Sequence, residues 1–219
     1  GEELEGAEDP LLAGEQLMDK WVAVSREAQV NLTDLGKGFA TLSAAAQAGG
    51  VNVDQLNGYI ATMAEVTSKS AQESANALRA MFSAIQNPST EKALMKQGIL
   101  VTDLNGQLRD MPDILNEIAE YREEGLISEA ELSDIARALG GQGARRQADM
   151  LAFLKSYTRS LEIANVSAEA QGEAQEAMAE KMGTLRTALN NLNTAFSGFP
   201  ETLGTEGGLL DFMTLSVNV

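Results

Sequence analysis

Almost every apolar stretch of this 219-residue chain has the spacing of an α-helix, and one segment departs from it. Apolar residues recur three and four positions apart, which places them on one helical face. The exception is 99–111, where two short apolar runs flank Asn105-Gly106, the strongest short signal for a β-hairpin. We therefore predict a mostly α protein: a multi-helix, bundle-like array of about nine helices with one small β-hairpin near 99–111.

Capping residues and chain breakers predict where these helices begin and end. Ser70 with Glu73, and Ser128 with Glu131, have the spacing of capping boxes, in which two backbone N–H groups are satisfied reciprocally. The first helix is predicted from Leu11 or Glu15 to Val30, and another helix follows Pro112. The predicted starts of the remaining helices are Thr33 or Asp34, Asn52 or Asp54, Ser70, Ser89, Ser128 and Ser167, with a longer helix carrying Ala148 to Leu161.

The last predicted helix, opened by Ser167, has a regular apolar stripe. Met178, Met182, Leu185, Leu189, Leu192 and Phe196 follow one another at spacings that fit a heptad seam. We predict that the stripe packs against another helix. The expected division is an acidic N-terminal segment and helix over 1–30, a helical region over 31–199, and a linker or the start of a following segment over 200–219. Because the chain begins without Met, we expect it to be part of a longer protein.

The composition excludes several classes of function. The chain has 32 acidic and 16 basic residues, no histidine and no cysteine, for a net charge of −16. Disulfides, thiolate chemistry and a serine–histidine–aspartate triad are therefore impossible within it. A strongly acidic chain repels phosphate backbones and anionic membranes, so we expect no binding to nucleic acid. No apolar stretch reaches the roughly 18 residues of a membrane-spanning helix.

No motif in the sequence predicts a catalytic residue, a cofactor site or a metal site. Gly141-Gln-Gly143 follows a predicted helix rather than a strand, so we interpret it as a helix end and not as a nucleotide-binding loop. The segment from Asp103 to Gly106 resembles part of a calcium loop, but Val101 and Pro112 occupy its first and last ligand positions.

Charged residues are abundant but indicate no site. Carboxylate pairs leave glycosidase chemistry open on residue types alone. A solvated helix face is the simpler interpretation of the acidic stretch. Arg145-Arg146 is a small basic spot at a helix N-terminus, where positive charge is unfavourable, and we expect a salt bridge to an acidic helix there. The acidic stretch comprises Glu120, Glu123, Glu124, Glu129 and Glu131.

From about Leu32 to Phe196 the chain resembles the conserved region of phage tail tape measure proteins, the family typified by lactococcal siphophages. The resemblance rests on the order and spacing of several short motifs. Arg145-Arg146 departs from it, since the family usually has an alanine-rich run there. The motifs are Ala-Gln-Ala-Gly-Gly50, Ile60-Ala-Thr-Met-Ala-Glu, Ala-Asn-Ala-Leu-Arg79, Ile85-Gln-Asn-Pro88, the run from Ala93 to Gly106, Ala138-Leu-Gly140, Met150-Leu151, and Gly172 with Ala174 and Met178.

The resemblance implies a structural protein without catalytic residues. Such proteins are long and helical, occupy the lumen of the growing tail tube, set the tail's length and leave ahead of the DNA. The implied partners are further copies, tail tube and tail tip or baseplate proteins, and tail assembly chaperones, with assembly in the bacterial cytoplasm and a final location in the virion tail. Two alternatives remain: a helical binding, adaptor or chaperone-like module, and a tail-associated, carboxylate-based wall-degrading enzyme.

Overall fold

A computed structural model describes residues 10–141 and 143–173, and these residues form nine α-helices and no sheet. The prediction of a mostly α protein is confirmed. The helices are α1 (Pro10–Glu27), α2 (Leu32–Ala48), α3 (Val53–Thr67), α4 (Ala71–Ala84), α5 (Pro88–Met95), α6 (Met111–Glu123), α7 (Glu129–Gly140), α8 (Ala144–Lys155) and α9 (Tyr157–Glu169).

Residues 24–165 form one compact unit, in which α2 and α3 pack against α4, and α7 packs against α8. Leu42, Ile60 and Leu78 are completely buried on the facing helices. Burying each such side chain contributes about 1.5–3 kcal/mol of transfer free energy. Gly38 permits the close approach of α2 to α4, because a Cβ atom there would lie 2.7 Å from the carbonyl oxygen of Ala71.

The second unit comprises 1–23 and 166–219, of which the structure describes 10–23 and 166–173. Leu17 and Trp21, both part of the predicted apolar stripe of the first helix, are buried. Lys20 Nζ donates to the carbonyl oxygen of Ser167 over 3.2 Å, and the Gly172 N–H donates to Asp19 Oδ2 over 2.8 Å. Hydrogen bonds of α1 therefore hold the end of α9 and the residues that follow it.

Three predicted helix starts are confirmed, and two others are displaced by a few residues. Asn52, Ser70 and Ser128 each cap a helix through a complete capping box. The N-cap of α2 is Asn31, not Thr33 or Asp34, because the Asn31 side chain accepts from the Asp34 N–H. Helix α5 starts at Pro88, not after Ser89, since a proline's missing N–H costs nothing in the first turn of a helix.

The predicted longer helix through Ala148 and Leu161 is wrong, because the chain leaves the helical conformation at Ser156. The Ser156 N–H still closes the last turn of α8, and α9 starts at the next residue. Ser167 therefore does not open a helix but lies, buried, near the end of α9. The stripe from Met178 to Phe196 lies outside the described residues, and it and the division at 30 and 199 stay predictions.

The predicted hairpin near 99–111 is also wrong, although the chain does reverse direction there. A single antiparallel bridge joins Thr102 to Leu108, and no strand extends from it. Of the two turn residues only Gly106 has a positive φ, at 77°. A two-residue hairpin turn needs positive φ at Asn105 as well. The turn is longer than a two-residue hairpin turn, because the Asp103 side chain accepts hydrogen bonds from the backbone N–H groups of Asn105 and Gln107.

Candidate functional site

The connection between α5 and α6, which we call the 99–110 loop, is held by hydrogen bonds of its own. Asp103 donates its N–H to the Gln107 carbonyl oxygen over 2.8 Å, and its Oδ1 accepts from the N–H groups of Asn105 and Gln107, each over 2.8 Å. The Arg109 N–H donates to Val101 O over 2.9 Å. These bonds fix the backbone of the loop without burying its tip.

Large apolar side chains are exposed mainly on and beside this loop. Four of the five exposed large apolar residues in the described part of the chain lie between 95 and 108, and the fifth is Leu126. Leu104, at the tip, is fully exposed with a relative accessibility of 103%. Scattered exposed leucines are normal, but a concentration of them in one segment marks a candidate contact surface. The four residues are Met95, Leu100, Leu104 and Leu108.

A groove of about 240 Å³ lies directly beside the loop. Its apolar lining comes from α2 and the end of α4, and Leu108 and Arg109 of the loop form one of its edges. Arg109 Nη1 is fixed there, since it donates to Leu100 O and to Glu117 Oε2, each over 2.7 Å. We call this cavity the loop-side groove. Its lining residues include Ala45, Ala48, Phe82, Ser83, Ile85 and Met111.

A second cavity, of about 260 Å³, lies between α4 and α8, and three basic side chains line it. We call it the cationic cavity. Lys69 forms a partly buried ion pair with Asp149 at this cavity. Arg145 and Arg146 also line it, and neither forms an ion pair with any residue that the structure describes. The salt bridge expected for the two arginines is therefore not present in the described part of the chain.

The buried centre of the compact unit contains three aromatic rings, from Tyr59 on α3, Phe153 on α8 and Tyr157 on α9. Their centroids lie 5.7–6.1 Å apart, mostly edge to face. The two tyrosine hydroxyls lie 3.2 Å apart and bond to each other. Burial, with Tyr157 close by, raises the pKa of Tyr59 far above its ordinary value. The pair therefore stays protonated and stabilises the core.

The carboxylates considered for glycosidase chemistry lie on solvated surfaces. Glu120, Glu123, Glu124 and Glu129 are exposed, and Glu131 is half-buried in a capping box. The hydrogen bond from Lys155 lowers the pKa of Glu129, and the Ser128 hydroxyl lowers the pKa of Glu131. A glycosidase's general acid needs a raised pKa. These two groups are therefore poor candidates for that role.

Comparison with known protein families identifies the chain. The model of the phage-related minor tail protein family matches residues 9–124, more than half of the 219 residues. The chain belongs to the phage-related minor tail protein family. It is a structural protein of the phage tail, and its location is the virion tail. No solved structure matches the chain.

The matched region of this minor tail protein contains the whole 99–110 loop and all the residues that line the loop-side groove. The cationic cavity lies only partly within it, because Arg145, Arg146 and Asp149 come after residue 124. Of the two candidate surfaces, only the 99–110 loop with its groove therefore lies entirely within the residues that the family model matches.

The described residues were also compared with the metal and nucleotide sites that the sequence raised. No group of three acidic, histidine or cysteine side chains in 10–141 and 143–173 could hold a metal ion. Gly141 ends α7 with a φ of 65°, in agreement with a helix end rather than a nucleotide loop. Of the helices that the structure describes, none has the length and apolarity needed to cross a bilayer.

Sequence reasoning missed the exposed leucines of the 99–110 loop. It assigned Leu100, Leu104 and Leu108 to hairpin strands, where alternate residues turn towards a core. The signal that could have found Leu104 is its position next to Asn105-Gly106, since residues at a turn rarely have a core to enter. The fixed conformation of the loop depends on Asp103, which no periodic pattern singles out.

Proposed function

We propose that this minor tail protein is a tape measure protein, which sets the length of the tail and occupies the tube lumen until the DNA is ejected. The observation that carries the proposal is the family match over 9–124 in a chain whose described part is mostly helical. The ordered motifs between Leu32 and Phe196 support it, because they follow the pattern of that family. In this proposal the chain has no catalytic activity.

The proposed partners are further copies of the chain, the tail tube, the tail tip or baseplate, and tail assembly chaperones in the host cytoplasm. The net charge of −16 supports a role in a channel that DNA later enters. A protein that must leave ahead of DNA should not bind it, and repulsion between carboxylates and phosphates prevents such binding.

Charge also gives the proposal a direct test in solution. We expect the purified chain to show no binding to double-stranded DNA at roughly micromolar protein and physiological salt, because Arg145 and Arg146 are too few to release many counterions. Fluorescence anisotropy of a labelled duplex measures this. Salt-dependent binding that is lost in an Arg145→Ala, Arg146→Ala variant would contradict the proposed passage ahead of DNA.

The length of the tail tests the ruler role itself. An in-frame deletion of 24–165 removes 142 residues (165 − 24 + 1). If this stretch measures length as one continuous helix, the tail shortens by about 210 Å, at 1.5 Å per residue. If it keeps its compact fold in the tail, the loss is only about 40 Å, the diameter expected for a domain of this size. Electron microscopy of negatively stained particles distinguishes the two.

The matched control replaces 24–165 with an unrelated helical sequence of the same length. A ruler that measures chain length alone gives tails of normal length with this replacement. Tails of unchanged length in the deletion strain would contradict the tape measure role. That outcome would favour the adaptor alternative, which the exposed leucines of the 99–110 loop specifically support.

A further inference from the structure

We infer that Asn105-Gly106, at the tip of the 99–110 loop, is a site of spontaneous chemical modification. There the side-chain amide of Asn105 is converted to a carboxylate, and the backbone is isomerised in part of the molecules. The reaction needs no enzyme or cofactor, because the nucleophile is the backbone nitrogen of the next residue. The inference goes beyond the proposed role in the tail and does not depend on it.

Every bond that changes in this reaction lies within the dipeptide. The Gly106 nitrogen loses its proton and attacks Cγ of Asn105, the bond from Cγ to Nδ2 breaks, and ammonia leaves as a five-membered succinimide ring closes. Water then opens the ring at one of its two carbonyl groups and gives aspartate or isoaspartate. Overall, an amide and water give a carboxylate and an ammonium ion. Glycine favours the attack, because it has no side chain to cover its nitrogen and allows the backbone rotation that ring closure needs.

The chain contains this dipeptide twice, and both times it follows a leucine. Leu56-Asn57-Gly58 lies in α3, and Leu104-Asn105-Gly106 lies in the 99–110 loop. Because the local sequences match, the two asparagines have similar intrinsic reactivity. A difference in their rates must therefore come from the fold.

In α3 the fold prevents ring closure. Asn57 is completely buried, and Gly58 lies beyond the first turn, where helical N–H groups donate to carbonyl groups four residues earlier. The rotation that brings the Gly58 nitrogen to Cγ of Asn57 would break this helix. The backbone is also closely packed there, since a Cβ atom at Gly58 would lie 2.2 Å from the carbonyl oxygen of Ser160. Asn57 therefore reacts only in molecules whose core has opened.

In the 99–110 loop the same atoms are accessible. Asn105 and Gly106 are exposed, and apart from its chain neighbours nothing lies within 4 Å of a Cβ atom placed on Gly106. The Gly106 N–H donates to Asp103 O over 3.0 Å, and Asn105 Nδ2 donates to Asp103 Oδ2 over 3.4 Å. These bonds slow the reaction without preventing it, because an exposed loop opens locally at a much lower free energy than a core helix.

The product changes the candidate contact surface that the loop forms. A carboxylate at position 105 places a second negative charge at the tip, beside Asp103 and next to the fully exposed Leu104. Isoaspartate also adds one carbon atom to the main chain, which displaces the backbone N–H groups that Asp103 holds. The surface of an aged chain therefore differs from that of a new one in charge and in backbone.

Peptide mapping of the full chain tests the site. The folded protein is incubated at neutral pH, digested with trypsin and analysed by tandem mass spectrometry, in which conversion adds one mass unit. The tryptic peptide 97–109 contains Asn105 as its only asparagine, and Asn57 in the same sample is the matched internal control. We expect conversion at Asn105 to be at least about tenfold faster than at Asn57, because opening the core costs the helical site at least that factor.

A second incubation, in guanidinium chloride, shows whether the fold is the cause. In the unfolded chain the two Leu-Asn-Gly sequences should react at similar rates, so the excess at Asn105 should disappear. In a Gly106→Ala variant that circular dichroism shows to be folded, conversion at Asn105 should fall while that at Asn57 stays unchanged.

Three results would each overturn the inference. They are equal conversion of Asn105 and Asn57 in the folded chain, a ratio that guanidinium chloride leaves unchanged, and an intact Asn105 after a time in which the unfolded chain has reacted fully. None of them bears on tail length, so the tape measure role stands or falls by its own deletion test.

Discussion

The aromatic centre of the compact unit and the 99–110 loop are both held in place, but by different interactions. Tyr59, Phe153 and Tyr157 are buried side chains on α3, α8 and α9, and they are held by packing against one another. In the loop, the Asp103 carboxylate satisfies the backbone N–H groups, and Leu104 remains completely exposed.

The difference shows that order in a segment and burial of its side chains are separate properties. Helical hydrogen bonds direct an apolar stripe to one side, so that packing and order arise together. A carboxylate that caps a turn fixes the backbone without specifying where the neighbouring side chains go. The loop can therefore be ordered and still present leucines for contact with another molecule.

The largest expected effect is a loss of folding stability when a side chain of the aromatic centre, rather than of the loop, is truncated. Phe153→Ala should lower the free energy of unfolding by roughly 3–5 kcal/mol, since it removes a completely buried ring and leaves a cavity. Leu104→Ala is the control from the loop and should change it by no more than about 0.5 kcal/mol. Urea unfolding followed by circular dichroism measures both. Similar losses in the two variants would abolish the distinction between the regions.

A smaller effect is expected where α3 approaches α9. A Cβ atom at Gly58 would collide with the carbonyl oxygen of Ser160, so Gly58→Ala should cost about 1–3 kcal/mol of stability. The Cβ of Ala164 lies only 3.2 Å from the same position. The double variant with Ala164→Gly relieves that contact but leaves the carbonyl in place. Full recovery of stability in the double variant would show that the carbonyl oxygen of Ser160 does not limit how closely α3 and α9 approach each other.

The smallest effect concerns the loop and acid. Hydrogen bonds from the Gln107 and Asn105 N–H groups lower the pKa of Asp103 below its ordinary 3.8. A lowered pKa means that the loop's stabilisation is present above pH 3.8 and is lost as the pH falls through the folded pKa. In an NMR titration the amide shifts of Asn105 and Gln107 should change together, with a midpoint below 3.8. In Asp103→Asn the acid-dependent change should disappear.

A midpoint at or above the ordinary value, or separate transitions for the two amides, would show that the carboxylate does not hold the turn. The comparison between core and loop would then lose its physical basis, because the exposed Leu104 would lie on an unconstrained backbone.

Helix boundaries that depend on neighbouring residues could be predicted from the sequence, whereas a boundary that depends on distant contacts could not. The capping boxes at Ser70 and Ser128 were predictable because each joins residues three positions apart. The break at Ser156 was not, since it accompanies packing of Phe153 and Tyr157 against Tyr59, about a hundred residues earlier in the chain.

The candidate surface was predictable only in part. Asn105-Gly106 correctly indicated a reversal of the chain, but it could not show that Asp103 replaces the hydrogen bonds of a strand pair. The loop-side groove brings together residues from 45 to 111, and no sequence pattern joins them. The salt bridge expected for Arg145 and Arg146 is absent among the described residues for the same reason, since tertiary packing decides which acidic side chains lie near them.

The location of the chain in the assembled particle tests the central proposal most directly. Electron cryomicroscopy of tails with a small tag inserted after Gly125, in the exposed loop between α6 and α7, locates this region before and after DNA release. A tape measure role requires the tag inside the tube lumen of filled particles and its absence from emptied ones. A tag on the outer surface of the tail, or one that remains in the tube after ejection, would contradict the role.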